Sequence, residues 1–584
     1  MPFAMTPQWR RIALGLCIVL LAVAAVKAGV DLWNVLRWEA RGAMDSDVSD
    51  YFFVARGIRN GLLPYRDLYE TKPPGIFFLT LLSLMVSGDQ RFLSIVQLLV
   101  FIAIPLLFAA FAVHKSKERA ATRWETVFFA LLAFLLGSLL TLYLEERAGM
   151  LQTETWGCFF ALLYALSLCW GKVPTTPRRI ALSSVFLFAT LFMREPFLLT
   201  TLAAAIVLCP TWRAFLRSFV LPLGIAGIAF LLIMTVLGYI GPYMTVHIPI
   251  MLWGRVAHDP LDPLWLRWLS IRWLFGNTTS YNVSSPLFGY VLILLFIVAP
   301  LWKRNPKGRW DLWMVIAGCG LVLVAAYYAY FLVVMINAKR LGVQLAPESV
   351  ALLQHLLSIA ITWGVLSLPF LFLLYKRGYL LASMLIFAGL FLSSEAVGIS
   401  IYAVNHYTFA VPFYMALVLL LLQRQNAALW SEGIVVACSA LAAVTVFTYQ
   451  TDPRFMQTLE ERTHYTYSAN KDVIDRFDAM LDACHFDRYY TFGGLNKLQF
   501  AKHSPYGPAV ILTYFNYLAP DHPLIQDTLK NIVFKTPVIA IFNKPDPLVS
   551  SDVDALIHER FTDQAPSCAK PYLPMDTAVM LFRK

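Results

Sequence analysis

Long apolar runs recur along the first ~450 residues of the chain and constrain its fold more than any other feature. A helix that crosses a bilayer needs about 20 mostly apolar residues, and about thirteen runs approach that length. They lie at 11–30, 91–113, 124–143, 155–171, 179–193, 195–210, 218–240, 286–302, 311–334, 351–374, 379–396, 407–423 and 432–449. Charged residues make up only 14% of the 584 residues, against about 25% in soluble domains. The sequence therefore predicts a polytopic α-helical membrane protein with about 13 transmembrane helices and excludes an ordinary soluble enzyme.

Basic residues between the runs indicate the orientation of the chain. Short cytoplasmic loops collect Lys and Arg, and the basic loops all fall on one face when the runs alternate across the membrane. These loops are Arg10-Arg11, Lys115 to Arg123, Lys172 to Arg179, Arg213 to Arg217, Lys303 to Arg309, Lys376-Arg377 and Arg424. The N-terminus is then cytoplasmic, and residues 31–90 and 452–584 lie outside. The short run at 73–88 fits this alternation only as an interfacial or re-entrant helix.

The tail differs in composition from the membrane part, which predicts two domains, 1–451 and 452–584. Residues 452–584 lack long apolar runs and read as an external α/β domain, with a helix over Lys471–Ala483 and strands over Pro537–Phe542 and Ala578–Phe582. This tail holds 14 basic and 16 acidic residues, so the net charge of +11 belongs to the membrane part. That distribution favours contact with anionic membrane lipids over nucleic-acid binding.

Cysteine placement adds one pairing to this picture. Six of the eight cysteines lie in apolar runs, and Cys484 and Cys568 are the two in the tail. Disulfides form in oxidising compartments, so a tail outside the membrane predicts a Cys484–Cys568 disulfide.

The first external loop, Met44 to Gly75, carries the densest cluster of acidic residues near the membrane. Asp45, Asp47 and Asp50 precede or open an amphipathic run. Acidic groups are stabilised at a helix N-terminus, so capping explains any one of them. Capping explains less well a cluster at a membrane face that is followed by Arg56 and Lys72, which leaves a catalytic or metal-binding role open.

This loop resembles that of the GT-C superfamily of membrane glycosyltransferases, closest to the protein mannosyltransferase and aminoarabinose transferase group and its bacterial relatives. The matching residues are Asp47, Tyr51, Ala55, Gly61, Pro64-Tyr65 and Lys72-Pro73. The family often has Glu directly after the Asp, where this chain has Val48. Weaker matches follow at Glu154 before the fourth span, at Arg194 between the fifth and sixth, where the family more often has Lys, and at His406-Tyr407 opening the twelfth.

The resemblance implies a role for each of these residues. Asp47 would be the catalytic base, with Asp45 and Glu154 assisting acceptor or metal binding. The phosphate of the donor would be held by a set of groups on the outer side: Arg56, Lys72, Arg194, His406 and Tyr407. Whether a divalent cation such as Mg or Mn binds at Asp45 and Asp47 stays open, since two carboxylates one residue apart are a weak signal.

Elementary chemistry agrees with these roles, although each residue also has a structural alternative. A sugar on a polyprenyl phosphate has an anionic head, which Arg and Lys bind well. A carboxylate can deprotonate an acceptor hydroxyl. Alternatively, Arg194 pairs with Glu195 or extends to the interface, Glu154 is solvated or pairs with Arg147, and His406 is an interfacial histidine.

These expectations combine into one function with two rivals. The chain is expected to be a glycosyltransferase of the bacterial inner membrane. It would move a sugar from a polyprenyl-phosphate donor to a lipid-linked glycan, lipopolysaccharide, a cell-wall polymer or a protein at the periplasmic face. The rivals are a transporter or flippase of a lipid-linked sugar, and a receptor-like membrane protein whose tail binds a partner. Transporters tend to contain inverted repeats, and the sequence shows none.

Overall fold

A computed structural model of the chain describes fifteen stretches of it. They are residues 7–40, 46–70, 72–118, 121–138, 151–170, 177–195, 197–209, 211–248, 467–492, 498, 501–505, 509–510, 523–542, 551–575 and 578–584. The six predicted spans from 286–302 to 432–449 lie outside the described residues.

The N-terminal part is helical. Its helices are α1 (Pro7–Ala40), α2 (Ser46–Arg59), α3 (Pro74–Val86), α4 (Arg91–Glu118), α5 (Arg123–Ser138), α6 (Thr153–Cys169), α7 (Pro177–Met193), α8 (Phe197–Leu208) and α9 (Trp212–Val236), with a π turn at Leu216–Val220 inside α9. Three of the described helices contain stretches long and apolar enough to cross a membrane: Leu14–Asn34, Arg91–Glu118 and Trp212–Val236. The prediction of a multi-pass helical membrane chain is confirmed at this level, and the number of about 13 spans stays a prediction.

Helix α1 shows how these helices are exposed. Its buried face carries small or slender residues at helical spacing, Cys17, Leu21, Ala24 and Ala28, and packs against α5 and α4. Its opposite face exposes Leu16, Val19, Val23, Val26 and Val30, each at least half exposed. A helix in water would place polar residues on that face. An apolar face of this extent is suited to lipid.

Helix α3 is the short apolar helix that the charge pattern requires. It has 13 residues, fewer than a membrane span needs. It packs against α2, α4 and α7, and the rings of Phe78 and Phe192 stack at 5.9 Å. The structure thus gives residues 74–86 as a helix too short to span, as expected of an interfacial or re-entrant element.

The tail is an α/β domain, as predicted. Its elements are α10 (Tyr467–Ala483), β2 (Arg488–Phe492), β3 (Ser504–Pro505), β4 (Ala509–Val510), α11 (Pro523–Lys535), β5 (Val538–Ile541), α12 (Ser551–Arg560), β6 (Phe561–Thr562) and β7 (Val579–Arg583). Five strands form one sheet in the order β3-β2-β5-β7-β6; β2 runs parallel to β3 and β5, whereas β7 is antiparallel to β5 and β6. Phe477 of α10 packs on Tyr489 on one side of the sheet, and α11 and α12 cover the other side through Ile532 and Ile557.

The predicted disulfide is present. Cys484 follows α10, and Cys568 lies between β6 and β7, with their Cα atoms 5.3 Å apart. Cys17, Cys158 and Cys169, which lie in the membrane part, are buried. A disulfide in this domain agrees with an extracytoplasmic location.

The first loop and the tail contact each other directly. A short strand of that loop, β1 (Leu68–Tyr69), pairs in parallel with β4. Arg56 Nη1 donates to the Ala501 carbonyl at 3.0 Å, and Asn60 Nδ2 donates to the Lys502 carbonyl at 3.1 Å and to Ser504 Oγ at 2.6 Å. The two parts therefore lie at the same end of the helices, the end that the charge pattern assigns to the outside.

Candidate functional site

Helix α2 contains Asp47 and Asp50 of the acidic cluster. Asp47 lies in its first turn, one turn before Tyr51, and the side chain of Asp47 lies outside the described part of the chain, as does all of Asp45. Tyr51 and Ala55 are fully buried, and the Tyr51 hydroxyl donates to Gln152 Oε1 at 3.2 Å. The start of α2 is thus held against the residues that precede α6.

The glycine of the matched pattern ends α2. The backbone of Gly61 has a φ of +82°, a value that residues other than glycine rarely adopt. The Leu62 N–H donates to the Gly57 carbonyl and the Gly61 N–H to the Ile58 carbonyl, which is the Schellman arrangement of a helix C-terminus. Gly61 therefore has a structural role that explains its place in the pattern.

The Pro64-Tyr65 turn leads the chain from α2 back towards the membrane helices. Tyr65 has a φ of +64°, uncommon for a residue with a side chain, and its hydroxyl donates to the Lys72 carbonyl at 2.7 Å. Partial burial acts to raise the pKa of the Asp67 carboxyl in this turn. Hydrogen bonds from Arg66 and from the Leu63 N–H outweigh that effect and lower the pKa below its ordinary value. The turn is therefore stabilised by an ionised aspartate.

Lys72 lies where this turn meets α3. It is 8% exposed, and Pro73 and Pro74 start the helix directly after it. The structure thus buries Lys72 at the end of the helices at which the donor phosphate is expected.

Arg194 and Glu154 form a buried ion pair. Arg194 follows α7, Glu154 lies in the first turn of α6, and Arg194 Nη2 lies 2.9 Å from Glu154 Oε1 with both side chains 5% exposed. The Thr153 hydroxyl donates to the other carboxylate oxygen, Oε2, at 2.8 Å. The pair joins two residues that the sequence predicted as separate members of the site, and Arg194 does not need Glu195 as its partner.

The close approach of these helices depends on Gly157. A Cβ atom at that position would lie 2.7 Å from Arg194 Cβ and 2.6 Å from a ring carbon of Phe197. Both distances are too short for real side chains. Gly157 thus lets the start of α6 meet the junction of α7 and α8, where Arg194 lies.

Aromatic residues that the sequence reading missed complete this end of the helices. The rings of Tyr243 and His247 stack at 4.6 Å, and the Tyr65 ring meets them edge-on at 5.2 and 5.0 Å. The Tyr243 hydroxyl donates to Glu195 Oε1 at 2.7 Å, so Glu195 is engaged by a tyrosine. A signal existed in the sequence, because Tyr243 and His247 are four residues apart directly after an apolar run.

Arg56 faces the tail. Besides its bond to the Ala501 carbonyl, it lies near Asp478, which accepts from the N–H groups of Lys502 and His503 at 2.7 and 3.3 Å. Burial raises the pKa of the Asp478 carboxyl, and these hydrogen bonds and the charge of Arg56 only partly counter it. The contact with the tail was not predicted, and the role of Arg56 in phosphate binding stays a prediction.

Several predicted residues fall outside the described residues. They are Asp45, Arg147, His406 and Tyr407. In the described part of the chain, no group of three or more His, Cys, Asp or Glu side chains is arranged to hold a metal ion. Whether a divalent cation binds at Asp45 and Asp47 stays open, because their side chains lie outside that part.

Comparison of the chain with protein families, with curated proteins and with solved structures finds no match. The proposal below therefore depends on the residues and their geometry.

Proposed function

We propose that the chain is a glycosyltransferase of the GT-C type in the bacterial inner membrane. It transfers a sugar from a polyprenyl-phosphate donor to a lipid-linked glycan, lipopolysaccharide, a cell-wall polymer or a protein on the periplasmic side. The observation that carries the proposal is the convergence at one end of the helices. Tyr51, one turn after Asp47 in α2, contacts Gln152, which lies two residues before Glu154, the partner of Arg194. The buried Lys72 directly precedes Pro73 and Pro74 at the start of α3, which packs against α2 and α7.

The chemistry of transfer assigns a task to each charge. The acceptor hydroxyl attacks the anomeric carbon of the donor sugar and gives its proton to the Asp47 carboxylate. The bond from that carbon to the phosphate oxygen breaks, and polyprenyl phosphate leaves with the electron pair. Attack opposite the leaving group inverts the anomeric configuration. Arg194 and Lys72 stabilise the negative charge that develops on the leaving phosphate.

The ion pair suits this task. A guanidinium carries five N–H donors in a fixed plane, so one arginine can contact a carboxylate and a phosphate together. Glu154 holds Arg194 Nη2 at 2.9 Å and is itself held by Thr153. Such a pair supplies a cation whose orientation is set before the donor binds, which lowers the cost of binding.

The direct test uses the purified full-length protein in lipid nanodiscs. It is supplied with polyprenyl phosphates that carry one radiolabelled hexose or pentose, and with envelope fractions as acceptors. Transfer of label supports the proposal, and binding of these donors without any transfer favours the transporter or flippase. If the protein neither binds nor transfers any of them, the proposal is wrong.

Asp47→Asn then tests the base. We expect transfer to fall by about 10²–10⁴-fold, the usual contribution of a positioned acid or base. The melting temperature should change little, because Asn keeps the shape of Asp and a charge in the first turn of a helix contributes about 0.3–1 kcal/mol. The matched control is Asp89→Asn, since Asp89 caps α4 by accepting from the Arg91 N–H at 2.9 Å. If Asp47 only caps α2, Asp47→Asn transfers normally. If Asp45→Asn is the inactive variant, the base is two residues upstream.

A further inference from the structure

Two buried hydrogen-bond donors at the start of α6 have no acceptor among the described residues. They are the side-chain amide nitrogen of Gln152 and the indole nitrogen of Trp156. Gln152 is 1% exposed and Trp156 is 2% exposed, so water does not reach either group from the surface. Buried polar groups are nearly always paired because leaving one unpaired is costly. A ligand bound at the start of α6 would supply the acceptors that both groups lack.

The two donors belong to one small region. Gln152 and Trp156 are four residues apart, and Gln152 stands directly before α6 with an extended backbone, so both donors lie at the start of that helix. The Tyr51 hydroxyl already donates to Gln152 Oε1. That bond occupies the acceptor end of the amide and leaves its nitrogen as the donor.

The backbone at this place is also unusual. Leu151, directly before Gln152, has a φ of +63° and is fully buried. A leucine in the left-handed region is strained, and such strain collects at functional sites. The Gln152 side chain does not cap α6, although it stands at the capping position. The hydrogen bond from Tyr51 thus orients the Gln152 amide, which does not cap α6.

The surroundings select the class of ligand. Both donors are neutral and require oxygen acceptors, which sugar hydroxyls and phosphates both offer. Neutral N–H donors suit the neutral hydroxyl oxygens of a sugar, whereas a phosphate is bound better by charged groups such as Arg194 and Lys72.

We propose that Gln152 and Trp156 form the subsite for the hydroxyl groups of the donor sugar. The proposal rests on the proposed function and extends it. Arg194 and Lys72 hold the phosphate, whereas these two side chains recognise the sugar and so determine which sugar is transferred.

The experiment compares two ligands that differ only in the sugar. Binding of the full-length protein is measured for a polyprenyl phosphate carrying the hexose or pentose that the wild type binds, and for the same polyprenyl phosphate without sugar. Trp156→Phe removes the indole N–H and keeps an aromatic ring. Gln152→Met removes the amide at similar volume. Each should weaken binding of the sugar-bearing lipid about 3- to 10-fold, the effect of one hydrogen bond, and leave binding of the bare lipid unchanged.

Controls separate recognition from structure. Trp170→Phe makes the same replacement at the opposite end of α6, where the ring is 37% exposed and packs on Phe111; it should change neither affinity. Tyr51→Phe removes the hydrogen bond between Tyr51 and Gln152 but keeps the Gln152 amide. Gln152→Met removes both, so Tyr51→Phe should weaken sugar binding less than Gln152→Met does.

Each other outcome overturns the assignment. Equal weakening for both lipids assigns the two donors to the phosphate or to the stability of the helix. Unchanged affinity for both, in Trp156→Phe and Gln152→Met alike, assigns them to partners within the chain. In either case a wild type that still transfers sugar leaves the proposed function intact. A wild type that binds only the bare lipid overturns the proposed function together with the subsite.

Discussion

Removal of Arg194 should have two separable effects, one on stability and one on transfer. The Arg194–Glu154 pair is 2.9 Å long with both side chains 5% exposed. At that distance and an effective dielectric constant of about 20, the Coulomb attraction is about 6 kcal/mol, before the cost of removing both charges from water. Breaking a buried pair from one side costs about 3–5 kcal/mol, because the remaining charge has lost its counter-charge. Arg194→Met should therefore lower the melting temperature strongly as well as transfer.

A double variant separates these effects. Replacing a whole buried pair by neutral side chains is often tolerated, so Arg194→Met combined with Glu154→Gln should regain most of the lost stability. It should not regain transfer, because the cation for the phosphate is still missing. Arg194→Lys should keep part of the activity, since it keeps the charge but loses the planar fork. The assays are thermal unfolding in nanodiscs and steady-state transfer, with donor KM and kcat measured separately.

The matched control is an exposed ion pair. Arg66 and Asp67 are 2.7 Å apart, with the arginine 57% exposed, and such pairs contribute about 0–1 kcal/mol. Arg66→Met should thus change melting and transfer little. A double variant as unstable as Arg194→Met would show that the loss is not electrostatic. An Arg194→Met protein with normal donor kinetics would refute the phosphate role.

Three further predictions concern the tail and its contact with α2. Replacing Cys484 and Cys568 by Ser should destabilise the tail by about 4–5 kcal/mol in the loop-entropy model for a separation of 84 residues. Limited proteolysis should then cut the tail faster than in the wild type. Unchanged cleavage would refute this. Asn60→Ala loses bonds to Lys502 and Ser504, so hydrogen exchange in 46–70 should rise about 5- to 10-fold, whereas an exposed replacement such as Lys570→Ala should leave it unchanged. Hydrogen bonds from Lys502 and His503 lower the pKa of Asp482. The contribution of this carboxylate to the stability of the tail is therefore complete above pH 3.8 and lost as the pH falls below that. Asp482→Asn should abolish this acid step when unfolding of the tail is measured over a pH series.

The parts of the fold that depend on composition could be predicted from the sequence. Apolar length predicted α1 and the helices from α3 to α9, whereas α2 was expected only as an amphipathic run. The weak apolar character of 452–584 predicted the tail domain with its helix at 471–483 and its strands near 538–541 and 579–583. Hydropathy and the alternation of apolar with polar residues are patterns of a few neighbouring residues, so they can be recognised within one segment of the sequence. The disulfide followed from compartment and elimination, because two cysteines stand in the tail.

Partners distant in sequence were beyond such reading. Arg194 was weighed against Glu195 next to it, but its partner is Glu154, 40 residues away and brought near by the packing of α6 on α7. Charge type is visible in a sequence, whereas the pairing of charges depends on which helices meet. Gln152 and Trp156 were overlooked for the same reason, since only burial shows that their nitrogen atoms lack acceptors among the described residues.

The contacts of α2 show why a local pattern indicated the base but not what positions it. The position of Asp47 is set by a helix held near both ends. Tyr51 binds Gln152 near its start, and Arg56 and Asn60 bind the tail near its end. A catalytic carboxylate must be held to within about 0.5 Å to act, and a 14-residue helix on a loop would not achieve this alone. If the chain transfers a sugar as proposed, the tail contributes to that reaction by fixing α2. Loosening that contact should lower kcat more than it raises the donor KM, because Lys72 and Arg194, the cations proposed to hold the phosphate, lie outside α2.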